Sequence, residues 1–209
     1  MIETVDTKTK ILDAAEKRFG LNGFEGTSLR DITSDAQVNL AAINYHFQSK
    51  DSLIDAVIRR RIEPVNRRRI EMLKAAGPSP SIEQIIEAFL SPVLEKGFPA
   101  AVPLIGRILS TPDQFVDRVF KPHMREVVDL FRQAFEEALP EMPVEDRLWR
   151  LHFMAGTMTH VLSLGQVIPV MTDGVCDLSD RKALVARLIT FLAAGFRAPV
   201  EAAGNAMRN

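Results

Sequence analysis

An all-α fold is predicted by two observations. Apolar residues recur at spacings of three and four through most of the chain, the period of one helix face, and Ser, Thr, Asn, Gly or Pro stand where the runs begin and end. Strand-like alternation between turn signals, a Gly-rich phosphate loop and internal repeats are all missing from the sequence. About nine helices are expected, in two domains: residues 1–48, built of three helices, and residues 49–209.

Thr7–Asn22 is the first helix, with Ile11, Leu12, Ala15 and Phe19 on one stripe and Lys8, Lys10, Lys17 and Arg18 elsewhere, a solvated scaffold face. Gly23 ends it, and Phe24 is expected to fold back as an apolar plug. Two short helices follow: residues 28–35, with Thr27 as the N-cap, and Leu40–Phe47, with Asn39 as the N-cap. Only Ala36-Gln37-Val38 separates them. Leu29, Ile32, Ala36, Val38, Ile43 and Phe47 close one small apolar seam, which makes the pair a helix-turn-helix. Leu40, Ala41, Ala42, Asn44, Tyr45 and His46 are left outside. Small residues let a helix sink into a major groove, the Asn44 carboxamide suits an adenine edge, and Tyr45 and His46 can donate to phosphate oxygens. Thr27, Ser28, Arg30 and Asn39 complete the expected DNA-facing set, with Lys50, whose ammonium sits at the start of the next helix.

That helix is capped by Ser49 and runs through Leu53, Ile54, Val57, Ile58 and Ile62 to a stop at Gly77-Pro78. Pro64 removes the hydrogen bond to the Arg60 carbonyl, so a kink or break is expected at residues 60–63. Arg59-Arg60-Arg61 and Arg67-Arg68-Arg69 wrap all sides of it and read as salt-bridged surface. Residues 81–94, capped by Ser79 or Ser81, carry Ile82, Ile85, Ile86, Phe89, Leu90 and Val93, with Pro92 bending the end. A turn at 97–99 precedes a buried helix at 101–109, and residues 116–138 form another helix with Pro122 near its start. Residues 145–167 place Trp149, Phe153, Gly156, Thr157, His160 and Leu164 on one face whose low-profile centre permits close helix approach. After a loop at 169–179 holding Cys176, residues 180–196 give Leu184, Leu188, Phe191 and Leu192 on a second apolar face. The last ten residues are expected to fray.

Composition excludes several classes. No stretch is apolar for the roughly 18–20 residues of a membrane span, and the N-terminus carries no export signal, so a cytoplasmic protein with no membrane partner is expected. The single cysteine rules out an intrachain disulfide and a thiolate metal cage. The formal net charge of −1 hides an asymmetry: residues 1–75 hold thirteen Lys/Arg and eleven Asp/Glu. With so small a basic excess, DNA affinity needs well-placed phosphate contacts, gathered best by a dimer. Enzyme chemistry finds no support, since His152 and His160 lie eight apart and Cys176 has no histidine near in sequence; no metal and no cofactor are expected. A purely architectural DNA binder would not need so long an apolar body.

The run from Val38 to Lys50, preceded by Ile11-Leu12-Asp13-Ala14-Ala15, Phe19, Gly23-Phe24 and Thr27-Ser28-Leu29-Arg30-Asp31-Ile32, resembles the N-terminal DNA-binding domain of TetR-family regulators. Asn39-Leu40-Ala41-Ala42-Ile43-Asn44-Tyr45-His46-Phe47, with Leu148-Trp149-Arg150-Leu151-His152-Phe153-Met154 and the run from Phe191 to Ala198, is similar to the PsrA-like subgroup, whose members are associated with fatty-acyl ligands. The sequence departs from the family at Gln37, where many members have Gly, so some local strain is expected. The resemblance implies a C-terminal ligand-binding and dimerisation domain, and a homodimeric repressor on a palindromic double-stranded DNA operator. It implies a dimer seam in the last two long helices, through Trp149, Phe153, Gly156, Thr157, His160, Leu164, Leu184, Leu188, Phe191 and Leu192. It also implies release by a small apolar effector, a fatty acid or acyl-CoA. The residues that suit an elongated apolar pocket are Phe89, Phe98, Leu104, Ile108, Phe115, Phe131, Phe153 and Met158, with Arg107, His123 or His152 as donors to a polar head.

Overall fold

The computed structural model describes residues 6–94, 108, 116–165 and 167–200. Every regular element among them is helical: α1 (Thr7–Asn22), α2 (Leu29–Ala36), α3 (Leu40–Phe47), α4 (Lys50–Ala75), α5 (Ile82–Leu94), α6 (Lys121–Ala138), α7 (Val144–Ser163), α8 (Ile168–Met171) and α9 (Arg181–Arg197), with a π-helical turn at Val116–Phe120 leading into α6. The expected turn at 97–99, Phe98, Leu104, Arg107 and Phe115, and the helix at 101–109 apart from Ile108, lie outside the described residues. The chain divides into two compact units, Met1–Arg67 with Lys96–Glu126 and Arg68–Glu95 with Val127–Asn209.

In the first unit, α1 ends where Gly23 takes φ +75°, a conformation costly for any residue with a Cβ. Phe24 then turns inward, 4% exposed, its ring 5.3 Å from Phe19, the plug expected from sequence. The core gathers Ile11, Ala15 and Phe19 of α1, Ile32 and Ala36 of α2, Ile43 and Phe47 of α3, and Leu53, Val57, Ile58 and Ile62 of α4, with Ile108 and Val119 closing it. Ion pairs fasten α1 on either side: Arg18 grips Asp35 of α2 with two bonds of 2.6 Å, while Arg60 and Arg61 of α4 reach Asp13 and Glu16 at 2.7 and 2.6 Å. Arg18 holds the Asp35 carboxyl below its ordinary range.

α4 runs unbroken through Pro64, so of the kink or break expected at residues 60–63 the break does not occur. The proline deletes one backbone bond, but its neighbours Ile62, Val65 and Asn66 are buried and hold the helix. The arginine surface read from sequence also needs correction, because Arg69 is buried. Its Nε donates to the Phe89 carbonyl at 2.9 Å and its guanidinium stacks 4.0 Å over the Phe89 ring. Burial pushes its pKa down to about 9, which leaves it charged at neutral pH.

The second unit packs Ile85, Phe89 and Leu90 of α5 against Phe131 and Phe135 of α6, Met154 of α7, and Leu188, Leu192 and Phe196 of α9. Phe135 and Phe196 stack at 4.3 Å, and Phe89 meets Phe131 edge-on at 5.3 Å. Ser81 is the α5 cap: its hydroxyl accepts from Gln84 N at 3.3 Å, and Gln84 returns a bond to Ser81 N at 2.8 Å. The region expected as a loop at 169–179 contains α8, whose Pro169 lies in its first turn, where a missing N–H costs nothing.

Arg197 of α9 binds Glu83 of α5 through two bonds of 2.5 and 2.8 Å and pulls the Glu83 carboxyl from 4.5 down to about 2. A depressed carboxylate pKa adds stability above the unfolded value that is lost as pH falls through the folded one. Glu83→Gln is therefore expected to flatten the acid side of the stability curve between pH 4.5 and 2. The pair is exposed, which limits the effect to under about 1 kcal/mol. Chemical denaturation at stepped pH checks this; identical slopes in the two proteins would remove the pair as a contributor.

Candidate functional site

The helix-turn-helix is assembled from local signals. Ser28, not Thr27, caps α2: its Oγ accepts from Asp31 N at 3.2 Å and the Asp31 carboxylate accepts from Ser28 N at 2.9 Å, a closed capping box. The Ser28 hydroxyl, which donates to the Asp31 carboxylate at 2.6 Å, and then the Ser28 N–H keep the Asp31 carboxyl below its ordinary range. Thr27 is fully buried, its hydroxyl donating to the Gly23 carbonyl at 2.8 Å. It braces the motif from inside, and this withdraws it from the outer face expected for it. α2 stops at Gln37, whose φ of +54° is the left-handed cap predicted to be strained; Val38 N reaches Thr33 O and Gln37 N reaches Ser34 O. Asn39 caps α3 as expected, its Oδ1 accepting from Ala42 N at 2.9 Å.

α3 turns Ile43 and Phe47 into the core and leaves Leu40, Ala41, Asn44 and Tyr45 exposed, Tyr45 by 83%. Ser28, Arg30 and Asn39 are exposed beside them. His46 is half-buried, its ring edge-on to Tyr45 at 5.0 Å. Ala42, expected outside, is half-buried against the core. Lys50 stands at the N-terminus of α4, whose free N–H groups favour an anion. One feature escaped sequence reasoning. Gln48 joins α3 to α4 with φ +65° and ψ −40°, and Ser49 N closes onto Phe47 O at 2.7 Å, a tight three-residue turn costing about 1–3 kcal/mol.

The second candidate surface lies on α7 and α9. Trp149, Phe153 and Phe191 are exposed by 54%, 60% and 69%, with Trp149 stacked on Phe153 at 5.7 Å. Gly156 and His160 are exposed, while Thr157, Leu164 and Leu184 are half-buried. Leu188 and Leu192, also expected on the seam, are buried in the core of their own unit, because α9 packs that side against α5. An open groove of about 440 Å³ runs between the two helices, lined by Phe153, Thr157, Phe191, Ala194, Gly195 and Phe196 among others, and Arg150 at its edge donates to the carbonyls of Gly195 and Phe196 at 2.8 Å each.

Residues 11–57 match the family model described as bacterial regulatory proteins, tetR family, and residues 85–195, more than half of the chain, match the tetracyclin repressor-like C-terminal domain. The chain belongs to the TetR family. Over 55 residues it is 42% identical to HdnoR, a nicotine-responsive transcriptional repressor of Paenarthrobacter nicotinovorans, covering 26% of this chain and 28% of HdnoR. Over 116 residues it is 26% identical to IcaR, the negative regulator of the icaADBC biofilm operon of Staphylococcus aureus, covering 54% and 59%. The chain thus matches less than two thirds of the length of these curated relatives. Among solved structures, FadR of Bacillus halodurans aligns with a TM-score of 0.67 at 16% identity over 94% of this chain and 100% of FadR; GusR of Salmonella enterica aligns at 0.61 and 20% over 94% and 96%. These likenesses show the TetR-like fold.

The described members of the predicted pocket set fall in both units. Phe89, Phe131 and Met158 share the core of the second unit. Ile108 is buried in the first unit, where His123 Nε2 lies 2.9 Å from Asp55 Oδ1. His152 and Phe153 face outward. Hydrophobic pattern marks a residue as buried, not which core buries it. Among the described residues, no group of three His, Cys, Asp or Glu is placed to hold a metal, and no helix is long and apolar enough to cross a membrane.

Proposed function

We propose that this TetR-family protein is a transcriptional repressor that occupies a palindromic operator as a homodimer, works in the cytoplasm, and leaves DNA when a long apolar effector binds. The outer face of α3 carries the reading: Ala41, Asn44 and Tyr45 are exposed on a helix whose other side is locked into a core. Ser28, Arg30, Asn39, Leu40, His46 and Lys50 complete the DNA-contacting set, within a DNA-binding domain of residues 1–48. Residues 49–209 bind the effector and dimerise. One recognition helix spans too few base pairs for a tight specific site, so two copies related by a two-fold axis read two half-sites. The exposed aromatic face of α7 and α9 supports that pairing, since ordered apolar surface of this kind marks an interface.

The effector class is a long-chain fatty acid or acyl-CoA. Its support is the likeness to the PsrA-like subgroup, together with a fold shared with FadR, a fatty acid degradation regulator. Phe89, Phe131 and Met158 offer flexible apolar side chains that can repack around an acyl chain. Titrating fatty acids and acyl-CoAs of increasing chain length into an operator complex tests it. Release at micromolar concentration by long chains and not by short ones is expected; release that is absent throughout, or indifferent to length, removes this effector class.

A further inference from the structure

Among the described residues of the first unit, three large apolar side chains are exposed: Leu21 in the last turn of α1, and Leu40 and Tyr45 on α3. Tyr45 brings a hydroxyl to the surface, whereas Leu40 brings only an aliphatic group. Leu40 is the first residue of α3 and is 45% exposed, while Val38 before it and Ala42 after it pack on the core. Around it on the outer face stand Asn39, Ala41 and Asn44, all exposed, so one aliphatic group lies among small and polar ones. A patch that small offers a protein partner little area to bury.

We propose that Leu40 reads the C5-methyl group of a thymine, one or two base pairs from the adenine that the Asn44 carboxamide addresses. The inference rests on the operator reading and deepens it by naming the base group that Leu40 recognises. In a helix-turn-helix the N-terminal residues of the second helix are those that reach base edges, and Leu40 opens that helix. Its side chain can neither donate nor accept a hydrogen bond. The thymine methyl is the apolar feature of the major-groove edge, so it is what a leucine placed there can discriminate. The helix tip is fixed: Asn39 Oδ1 accepts from Ala42 N at 2.9 Å, and Ile43 is fully buried below it. Leu40 and Asn44, four residues apart, share one side of α3 at about 6 Å along its axis. Base pairs repeat at about 3.4 Å, which puts the two contacts on different pairs no more than two steps apart. Ala41 beside them carries a single methyl, and so lets α3 approach closely enough for a contact of such short range.

The test selects binding duplexes from a randomised pool with the unaltered protein, then replaces each thymine of the selected site in turn by deoxyuridine. That change removes the methyl and keeps every hydrogen-bonding group. One thymine per half-site should then lose affinity about fourfold, the worth of one buried methyl group. The Leu40→Ala protein should bind the thymine and uracil duplexes equally at that position, and Leu40→Met, which keeps a long apolar side chain, should retain the discrimination. With cytosine at the same position, 5-methylcytosine should bind more tightly than cytosine by a similar factor, and only when Leu40 is present. Circular dichroism verifies that both variants are folded. A pool that yields no preferred sequence would overturn the operator reading and this inference with it. A preferred sequence whose thymines all tolerate uracil, a uracil penalty that Leu40→Ala leaves unchanged, or a sensitive thymine more than two pairs from the adenine to which Asn44→Ala is blind would overturn the role of Leu40 and leave the operator reading intact.

Discussion

Gly156→Leu is expected to give a well-folded protomer that no longer dimerises and binds its operator a hundredfold or more weakly. A Cβ built at Gly156 meets no atom within 4 Å in the protomer, and the same holds at Gly195. An exposed glycine inside a helix costs roughly 0.5–1 kcal/mol relative to alanine, and nothing in the protomer requires it at either place. In the proposed dimer, close approach by a second copy would require it, with the exposed Trp149, Phe153 and Phe191 as the surrounding contact surface. Leucine thus adds helix propensity to the isolated chain while wedging the seam apart. Operator affinity then falls because engagement of the second half-site stops being intramolecular, an advantage worth about 10²–10⁴. Light scattering, thermal melts and operator titration separate the terms. A dimer that persists in this variant would mean that Gly156 faces elsewhere.

What could be read from sequence follows a physical divide between local and long-range determinants. Gly23, Asn39, Ser81 and Asp180 act on the four residues beside them, and each ends or starts its helix as spacing and chemistry dictate. Thr27 and Ser28 show where that stops. Both are good N-caps, and Ser28 takes the role because Thr27 is pulled inward to the Gly23 and Arg18 carbonyls, a decision made by α1. The seam shows the same limit. Leu188, Phe191 and Leu192 share one amphipathic helix, and only the packing of α5 decides that Leu188 and Leu192 are core while Phe191 faces water. Arg69 reads as surface in a run of arginines, yet the Phe89 ring and carbonyl receive its guanidinium. The strained turn at Gln48 left no signal at all, since glutamine carries no preference for positive φ.

On the DNA side, Asn44→Ala should cost about 1–3 kcal/mol on the cognate operator, roughly five- to 150-fold, and almost nothing on random DNA. Asn44 is exposed on α3, directly after the buried Ile43 and three residues before the buried Phe47 that fix the helix, so its removal leaves the protomer intact. A carboxamide pairing with an adenine edge carries sequence information, and losing it penalises only the right sequence. Tyr45, His46 and Lys50 are of another kind. Their hydroxyl, imidazole and ammonium groups suit phosphate oxygens, which every sequence presents. Tyr45→Phe, His46→Ala and Lys50→Ala should therefore weaken cognate and random DNA alike. Lys50→Ala should also lower the slope of log affinity against log salt by about one unit per site, since one fewer counterion is released. Fluorescence anisotropy on both DNAs across a salt series resolves the two classes, and equal losses on both DNAs for Asn44→Ala would move Asn44 from the base-reading group to the phosphate group.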